Sequence, residues 1–345
     1  MSRRGTASEG STAIVAVKVG PVRPRRVNLR VNPWIRFAVR RSARLVVSLW
    51  VLVTFAAFII HLVPGDPVRK ALGINASADV VASTRHDLGL DQSVPAQYWD
   101  YLGHLIHGDL GRSLSSGLPV DETISELLPN TILLALIAFG VTILVAVPLG
   151  LIMAVLTQNG RRRPLELAYT TVSIVLGSIP EFLLGVALVY LLGVRTHLLP
   201  VAGQQGVASY VMPVLALSLG AIVGISRIVR VEILSVLERD YMRTARLKRL
   251  PGWKLYVRHA LPNALTATAT IAGLLLGGLI AGTVLVETIF AWPGLGQVFV
   301  TAITSYDFTM VQALVLVYGG LVLVINFLVD LLLAVVDPQT TIRES

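Results

Sequence analysis

The chain has 345 residues, of which 54% are hydrophobic and 14% charged, with a mean hydropathy of +0.73; a soluble domain carries about 25% charged residues, so this balance points to a membrane protein. The formal charge is +9, but of 29 Lys and Arg, 11 lie in residues 1–44 and 9 in residues 227–258, beside apolar runs and without an aromatic-and-basic face, which argues against nucleic acid as a partner. There is no cysteine, which excludes disulfides, thiolate metal sites and cysteine nucleophiles.

Residues 1–35 are rich in Arg, Ser, Gly and Pro without sustained periodicity and read as a disordered basic extension on the cytoplasmic side. The first apolar run, 45–63, follows Arg40, Arg41 and Arg44. It is longer than a usual signal core and no small-x-small cleavage pattern follows it, so residues 36–63 are expected to form an uncleaved first membrane helix. Residues 64–130 are the one sizeable polar region, with nine acidic and four basic residues. They read as a small external domain of short helices and turns, from which LPNTIL (128–133) leads the chain back into the membrane.

Five further apolar runs, at 132–156, 167–192, 210–229, 264–286 and 311–336, each reach the roughly 20 residues that a helix needs to cross about 30 Å of hydrocarbon. Residues 131–336 are therefore expected to form a five-helix core, followed by a cytoplasmic tail at 337–345. Six spans put both termini on one side. The segments then assigned to the inside, 1–44, 157–166, 227–262 and the tail, hold 24 of the 29 Lys and Arg. The remaining five are Arg69, Lys70, Arg85, Arg112 and Arg195. The third run carries Pro180 and Glu181 in GSIPEFLLG (177–185), which predicts a kinked or broken helix. It is kept as one span, because two full crossings would place the nine basic residues of the following loop outside. In the fifth run, Gly273/Gly277 and Gly278/Gly282 fit either close helix approach or the ordinary glycine content of membrane helices.

The loop at 231–262 is more structured than orientation requires. Leu234, Leu237, Tyr241 and Ala245 recur at helical spacing. The chain is expected to break at Pro251-Gly252 and resume as a second short helix through Trp253, Val257 and Leu261. A helix–turn–helix with its arginines outward suits a groove on a rigid partner. The segment resembles the coupling loop of binding-protein-dependent ABC transporter permeases, whose motif reads E-A-A, three residues, Gly, nine residues, Ile, one residue, Leu-Pro. Its first three positions fall on Arg243, Thr244 and Ala245, and Arg-Thr-Ala is characteristic of the dipeptide/oligopeptide/nickel branch. Arg249 stands at the Gly position and His259 at the Ile position, while Leu261 and Pro262 match. Asp240, Tyr241 and Gly252 complete the expected ATPase-coupling set. With Arg at 249, either the tight turn moves to Pro251-Gly252 or the partner is a less typical ATPase. The resemblance spans residues 36–340 and is carried also by HLVPGDP (61–67), LGLDQSVPAQYWDYLGHLIHGDLGRSL (88–114), IPEFLLG (179–185), VETIFAWPGLG (286–296) and VDLLLAVVDP (329–338).

That resemblance implies an all-α membrane protein with the type I ABC importer permease fold, six transmembrane helices and a small external domain between the first two. It also implies a second homologous permease, two ABC ATPase subunits or domains, an extracytoplasmic substrate-binding protein and a lipid surround. The cargo would be di- or oligopeptides, with nickel, haem or glutathione as alternatives within the branch. The chain itself is not expected to be an enzyme. It lacks the G-x-x-x-x-G-K-[ST] phosphate loop, and even the dipeptide Gly-Lys, so ATP and Mg are assigned to the partner ATPases and no cofactor to this chain. Six scattered histidines show no transition-metal spacing, and no catalytic constellation stands out.

Among membrane-embedded polar residues, Glu181 and Glu287 are candidates for the translocation path or a gate, Glu287 equally for capping the adjacent external helix. Arg227 and Arg230 are expected to snorkel to the inner interface, and Asn326 and Asp330 to hydrogen-bond between helices. A self-sufficient secondary transporter or channel is the first rival and would favour repeat-related halves with broken helices. A membrane scaffold is the second.

Overall fold

In hydrocarbon every backbone N–H and C=O must find an internal partner, which leaves the helix as the default state of an apolar chain. The computed structural model describes residues 33–62, 65–73, 75–160 and 162–336. Among them the chain is helical, and one isolated bridge, Arg112 with Pro119, is the sole extended pairing. The extension expected before residue 33 and the tail expected after residue 336 lie outside the described residues.

Helix α1 (Pro33–Phe58) continues through a 3-10 turn, Ile59–Leu62. Three short helices follow, α2 (Pro67–Leu72), α3 (Ala78–Asp87) and α4 (Val94–Ile106). Asp66 caps α2 by accepting from Val68 N, Ser77 caps α3 by accepting from Val80 N, and Arg85 pairs with Asp66 at 2.6 Å. Helix α4 leans on α1, where the Tyr98 hydroxyl lies 3.0 Å from Thr54 Oγ1 and its ring stacks on Phe58.

Helix α5 (Val120–Thr157) has 38 residues. At 1.5 Å per residue it is about 57 Å long, well beyond a bilayer core of about 30 Å. Its first turns therefore stand clear of the apolar run that begins at 132, and Val120 and Ile124 pack with Leu295 and Ala302. Helix α8 (Ala208–Leu237) lies against α5 at Gly150, where a Cβ would sit 2.5 Å from Ser226 O. Helices α10 (Leu261–Ile289), α11 (Leu295–Thr304) and α12 (Phe308–Val336) complete the bundle. A Cβ on Gly273 would collide with Val329, and one on Gly277 would lie 3.3 Å from Val322, so the first glycine pair sets the approach of α10 to α12. Gly278 faces open space. Large apolar side chains on the outside, such as Val47, Trp50 and Phe55 of α1, are what a lipid-facing surface requires.

The third apolar run is broken, one of the two forms that its Pro180 predicts. It forms α6 (Arg163–Gly177) and α7 (Glu181–Leu188), the latter extended by a π-helical segment, Val189–Arg195, with an 89° bend between the two halves. Pro180 has no N–H to give and holds Ile179 out of helical geometry, so the ladder stops before it and restarts after it. Among the described residues five helices are long and apolar enough to cross a membrane, or six crossings if the bent pair is one span.

Candidate functional site

The segment between α8 and α10 is short, bent and anchored. Arg239 is extended (φ −69°, ψ 150°) and opens α9 (Asp240–Leu247). The break between Leu237 and Asp240 resets the helical phase, so the continuous apolar face read from the sequence does not form. Leu237 is buried, Leu234 and Ala245 are half-buried and Tyr241 turns outward. Met242, which periodicity did not single out, is the buried anchor of α9. Arg246 ties the two helices by donating to Leu237 O at 3.1 Å.

The turn stays where the family motif has its glycine. Arg249 adopts φ +53°, the left-handed region, with its N–H donating to Arg246 O at 2.9 Å. Gly252 is helical, which corrects the expectation that the turn shifts to Pro251-Gly252. Pro251 instead starts the next helix, its carbonyl accepting from Leu255 N at 3.1 Å. No separate second helix exists either, because a π-helical turn, Lys254–Ala260, runs straight into α10. Pro262 has no N–H for the carbonyl four residues earlier, and the wider turn precedes it. That turn shifts the phase, so Leu255 and Ala260 are buried while Trp253 and Val257 are exposed, contrary to the predicted face.

Of the residues placed in the coupling set, Asp240, Tyr241, Arg243, Thr244, Arg249, Gly252 and Pro262 are exposed, and Ala245, His259 and Leu261 are half-buried. Arg243 and Asp240 lie 3.6 Å apart. Beneath this surface Met242, Leu255 and Ala260 share one apolar cluster with Ile233 and Val236 of α8 and Ala154 of α5. The segment is thus packed onto α5, α8 and α10 together.

A polar strut beside this cluster escaped the sequence reading. Arg230, expected to snorkel, has its Nη2 2.6 Å from Glu166 Oε1, and its Nε donates to Thr157 Oγ1 at 3.0 Å, joining α8 to α6 and α5. Gln158 Nε2 donates to the Tyr256 hydroxyl at 2.9 Å, linking the end of α5 to the π-helical turn. The available signal was Glu166, the single acidic residue in the basic loop 157–166.

Where α6 breaks, a cavity of about 670 Å³ opens between the bend, α8 and α10, walled by Ser178, Pro180, Gly220, Gly224, Leu274 and Gly278. Glu181 lines it. Glu287 does not. It is fully buried, and its Oε2 accepts from Gly296 N at 2.6 Å in the first turn of α11, the geometry of a cap. A Cβ on Gly294 would collide with the same carboxylate. The two glutamates thus occupy different surroundings. Asp330 pairs between helices with Arg41 of α1 at 2.6 Å, whereas the buried Oδ1 of Asn326 has no partner among the described residues. No group of three or more His, Cys, Asp or Glu among the described residues could hold a metal.

The family described as "Binding-protein-dependent transport system inner membrane component" matches residues 146–342, and "Binding-prot-dependent transport system membrane comp, N-term" matches residues 34–135. The "Glutathione transport system permease protein GsiC" of Pectobacterium atrosepticum is 34% identical over 306 residues, covering 88% of this chain and 98% of its own. The "Probable D,D-dipeptide transport system permease protein DdpB" of Escherichia coli is 35% identical over 324 residues, covering 86% and 94%. A chain of the inward-facing MetNI methionine ABC transporter superposes with a TM-score of 0.53 at 21% identity, over 62% of this chain and 96% of its own, a likeness of fold.

Proposed function

Since the chain belongs to the binding-protein-dependent transport system inner membrane component family, as a permease subunit of a peptide/nickel-type ABC importer and a multi-pass membrane protein, we propose that it carries di- or oligopeptides handed over by a binding protein. The relatives named for glutathione and D,D-dipeptide transport share an amide-linked, amino-terminated cargo chemistry with that reading. The complex contains ATPase and binding-protein partners. In our reading these are two ABC ATPase subunits, which bind ATP and Mg, an extracytoplasmic binding protein and a second homologous permease. In the same reading both termini and the Asp240 segment face the cytoplasm, which the clustering of basic residues supports.

The observation that carries the proposal is the anchoring of the α9 segment. Its outer side presents Tyr241, Arg243, Thr244 and Trp253, while its inner side is embedded in the cluster shared by α5, α8 and α10. Closure of the ATPases on ATP would move α9 as a rigid lever and so open and close the path beside the α6–α7 break, in alternating access. Glu181 lies on that path. Glu287 holds α11 at one end of the bundle and acts on a gate only through that helix.

The test is reconstitution of the permeases with and without the ATPases. Uptake should require both ATP and the ATPases, and ion-gradient-driven uptake by this chain alone would overturn the reading. Ala245→Glu places a charge on the half-buried side of α9. It should reduce transport at least about tenfold relative to ATP hydrolysis, since roughly 1.4 kcal/mol of lost coupling suffices, while membrane insertion stays intact. Unchanged uptake by that variant would remove Ala245 from the contact.

A further inference from the structure

We propose that Glu181 receives the α-ammonium group of the cargo inside the intramembrane cavity, an inference that rests on the transport reading and specifies the cargo chemistry. Among the described residues, Glu181 is the one titratable side chain lining that cavity, whose other walls are apolar side chains, glycines and Ser178. Its carboxylate accepts no hydrogen bond and forms no ion pair within the described residues, although Glu181, an exposed residue, sits at the bend in the middle of the third apolar run. An uncompensated charge there is expensive to keep, and such groups mark ligand or ion paths.

The site is also shaped around the carboxylate. Gly282 of α10 faces it, and a Cβ on Gly282 would lie 2.5 Å from Oε2 and 2.9 Å from Oε1. The absent side chain lets the carboxylate rest against α10 at the mouth of the bend. On the wall of the same cavity the Ser178 hydroxyl donates its proton to Ile174 O at 2.8 Å, leaving the oxygen lone pairs free to accept. A carboxylate and a hydroxyl oxygen together match an ammonium, which carries three donors and no acceptor. They do not match a divalent cation, which needs several charged or imidazole ligands that the described residues do not group. The cargo carboxylate finds no basic partner on the cavity wall, so the amino end is the end that the site selects.

The experiment uses the assembled transporter in nanodiscs without the binding protein, so that only the membrane subunits discriminate. The probes are trialanine and propionyl-dialanine, which differ by the amino group alone. The wild type should bind trialanine about tenfold more tightly, the usual scale of a charge-assisted hydrogen bond. Glu181→Gln should bring the ratio close to one, and Gly282→Ala, which leaves the carboxylate but displaces it, should shrink the ratio as well. A wild type that binds neither peptide or does not distinguish them, or a Glu181→Gln variant that keeps the full ratio, would overturn the inference. Were Glu181 instead paired with a basic side chain of the second permease, Glu181→Gln would lower the thermal stability of the complex and leave the ratio untouched, which also overturns it. ATP-driven uptake by the same preparations separates the two levels. Uptake that persists in the wild type without amino-group discrimination defeats the ammonium site alone, whereas no ATP-dependent uptake at all defeats the transport reading.

Discussion

Asp307 precedes α12 and accepts from Ser113 Oγ, Ser115 Oγ, Leu114 N, Ser115 N and Met310 N at 2.5–3.2 Å. One carboxylate thereby caps α12 and clasps the loop that precedes α5. Burial alone would raise its pKa, but the donors of Ser113, Ser115, Met310 and Leu114 outweigh it and hold the group below the ordinary carboxylate value. A depressed folded-state pKa contributes stability that is present above the unfolded value and is lost as pH falls through the folded one. Asp307→Ala should therefore destabilise the loop by roughly 3 kcal/mol at neutral pH, seen as faster hydrogen exchange over residues 113–118. The difference from wild type should shrink as pH falls below about 4, and a pH-independent difference would remove the charge from the explanation. Nothing in the sequence pairs Asp307 with a serine almost two hundred positions away. Arg249 teaches the converse. The motif located the turn correctly, and of the two alternatives that the sequence left open the displaced turn is excluded, because the anchors at Met242 and Leu255 hold both flanks and outweigh about 1–2 kcal/mol of left-handed strain.

Among the elements, the broken third run governs the most. Pro180 was visible in the sequence, but an 89° bend rather than a kink depends on α8 and α10 closing around the gap, with Gly185 seated on Phe290 and Ile289. At the other end of α6, the Arg230–Glu166 pair ties this bent element to the helix that leads into α9. Arg230 is 12% exposed and Glu166 35%, so solvent screens only one partner. Arg230→Met leaves the Glu166 charge stranded and should lower stability by roughly 1–3 kcal/mol. It should also lower the uptake obtained per ATP hydrolysed, because the charged link from α8 to α6 is lost and only the Tyr169–Ser226 hydroxyl contact, at 2.8 Å, still bonds the two helices. Exchanging the charges, Arg230→Glu with Glu166→Arg, should restore much of both. If thermal stability returns in the exchange variant and the uptake ratio does not, the pair is a fastening and carries no stroke.

Across the whole molecule the governing question is orientation. The chain has no cysteine, so single introduced cysteines report without background. In intact cells a membrane-impermeant maleimide should label Ser116→Cys, in the exposed loop before α5, and should reach Lys248→Cys, beside the α9 turn, only after the membrane is opened. Labelling of Lys248→Cys from outside would reverse the topology and with it the coupling proposal.

What the amino-acid order determined by itself was everything that depends on local composition: the apolar runs, the basic loops between them, the break at Pro180 and the motif around Ala245. Hydrocarbon accepts only long apolar helices, and Lys and Arg are held back at the loops between them, so both signals are written in contiguous residues. The tertiary structure alone decided which polar groups meet, that Glu287 caps α11, Arg230 meets Glu166, Asp307 clasps residues 113–115 and Glu181 lies against Gly282 with no partner among the described residues. Those pairings join residues far apart in the chain, and no periodicity encodes them. They follow from helix packing, in which a missing side chain on one helix makes room for a charge on another.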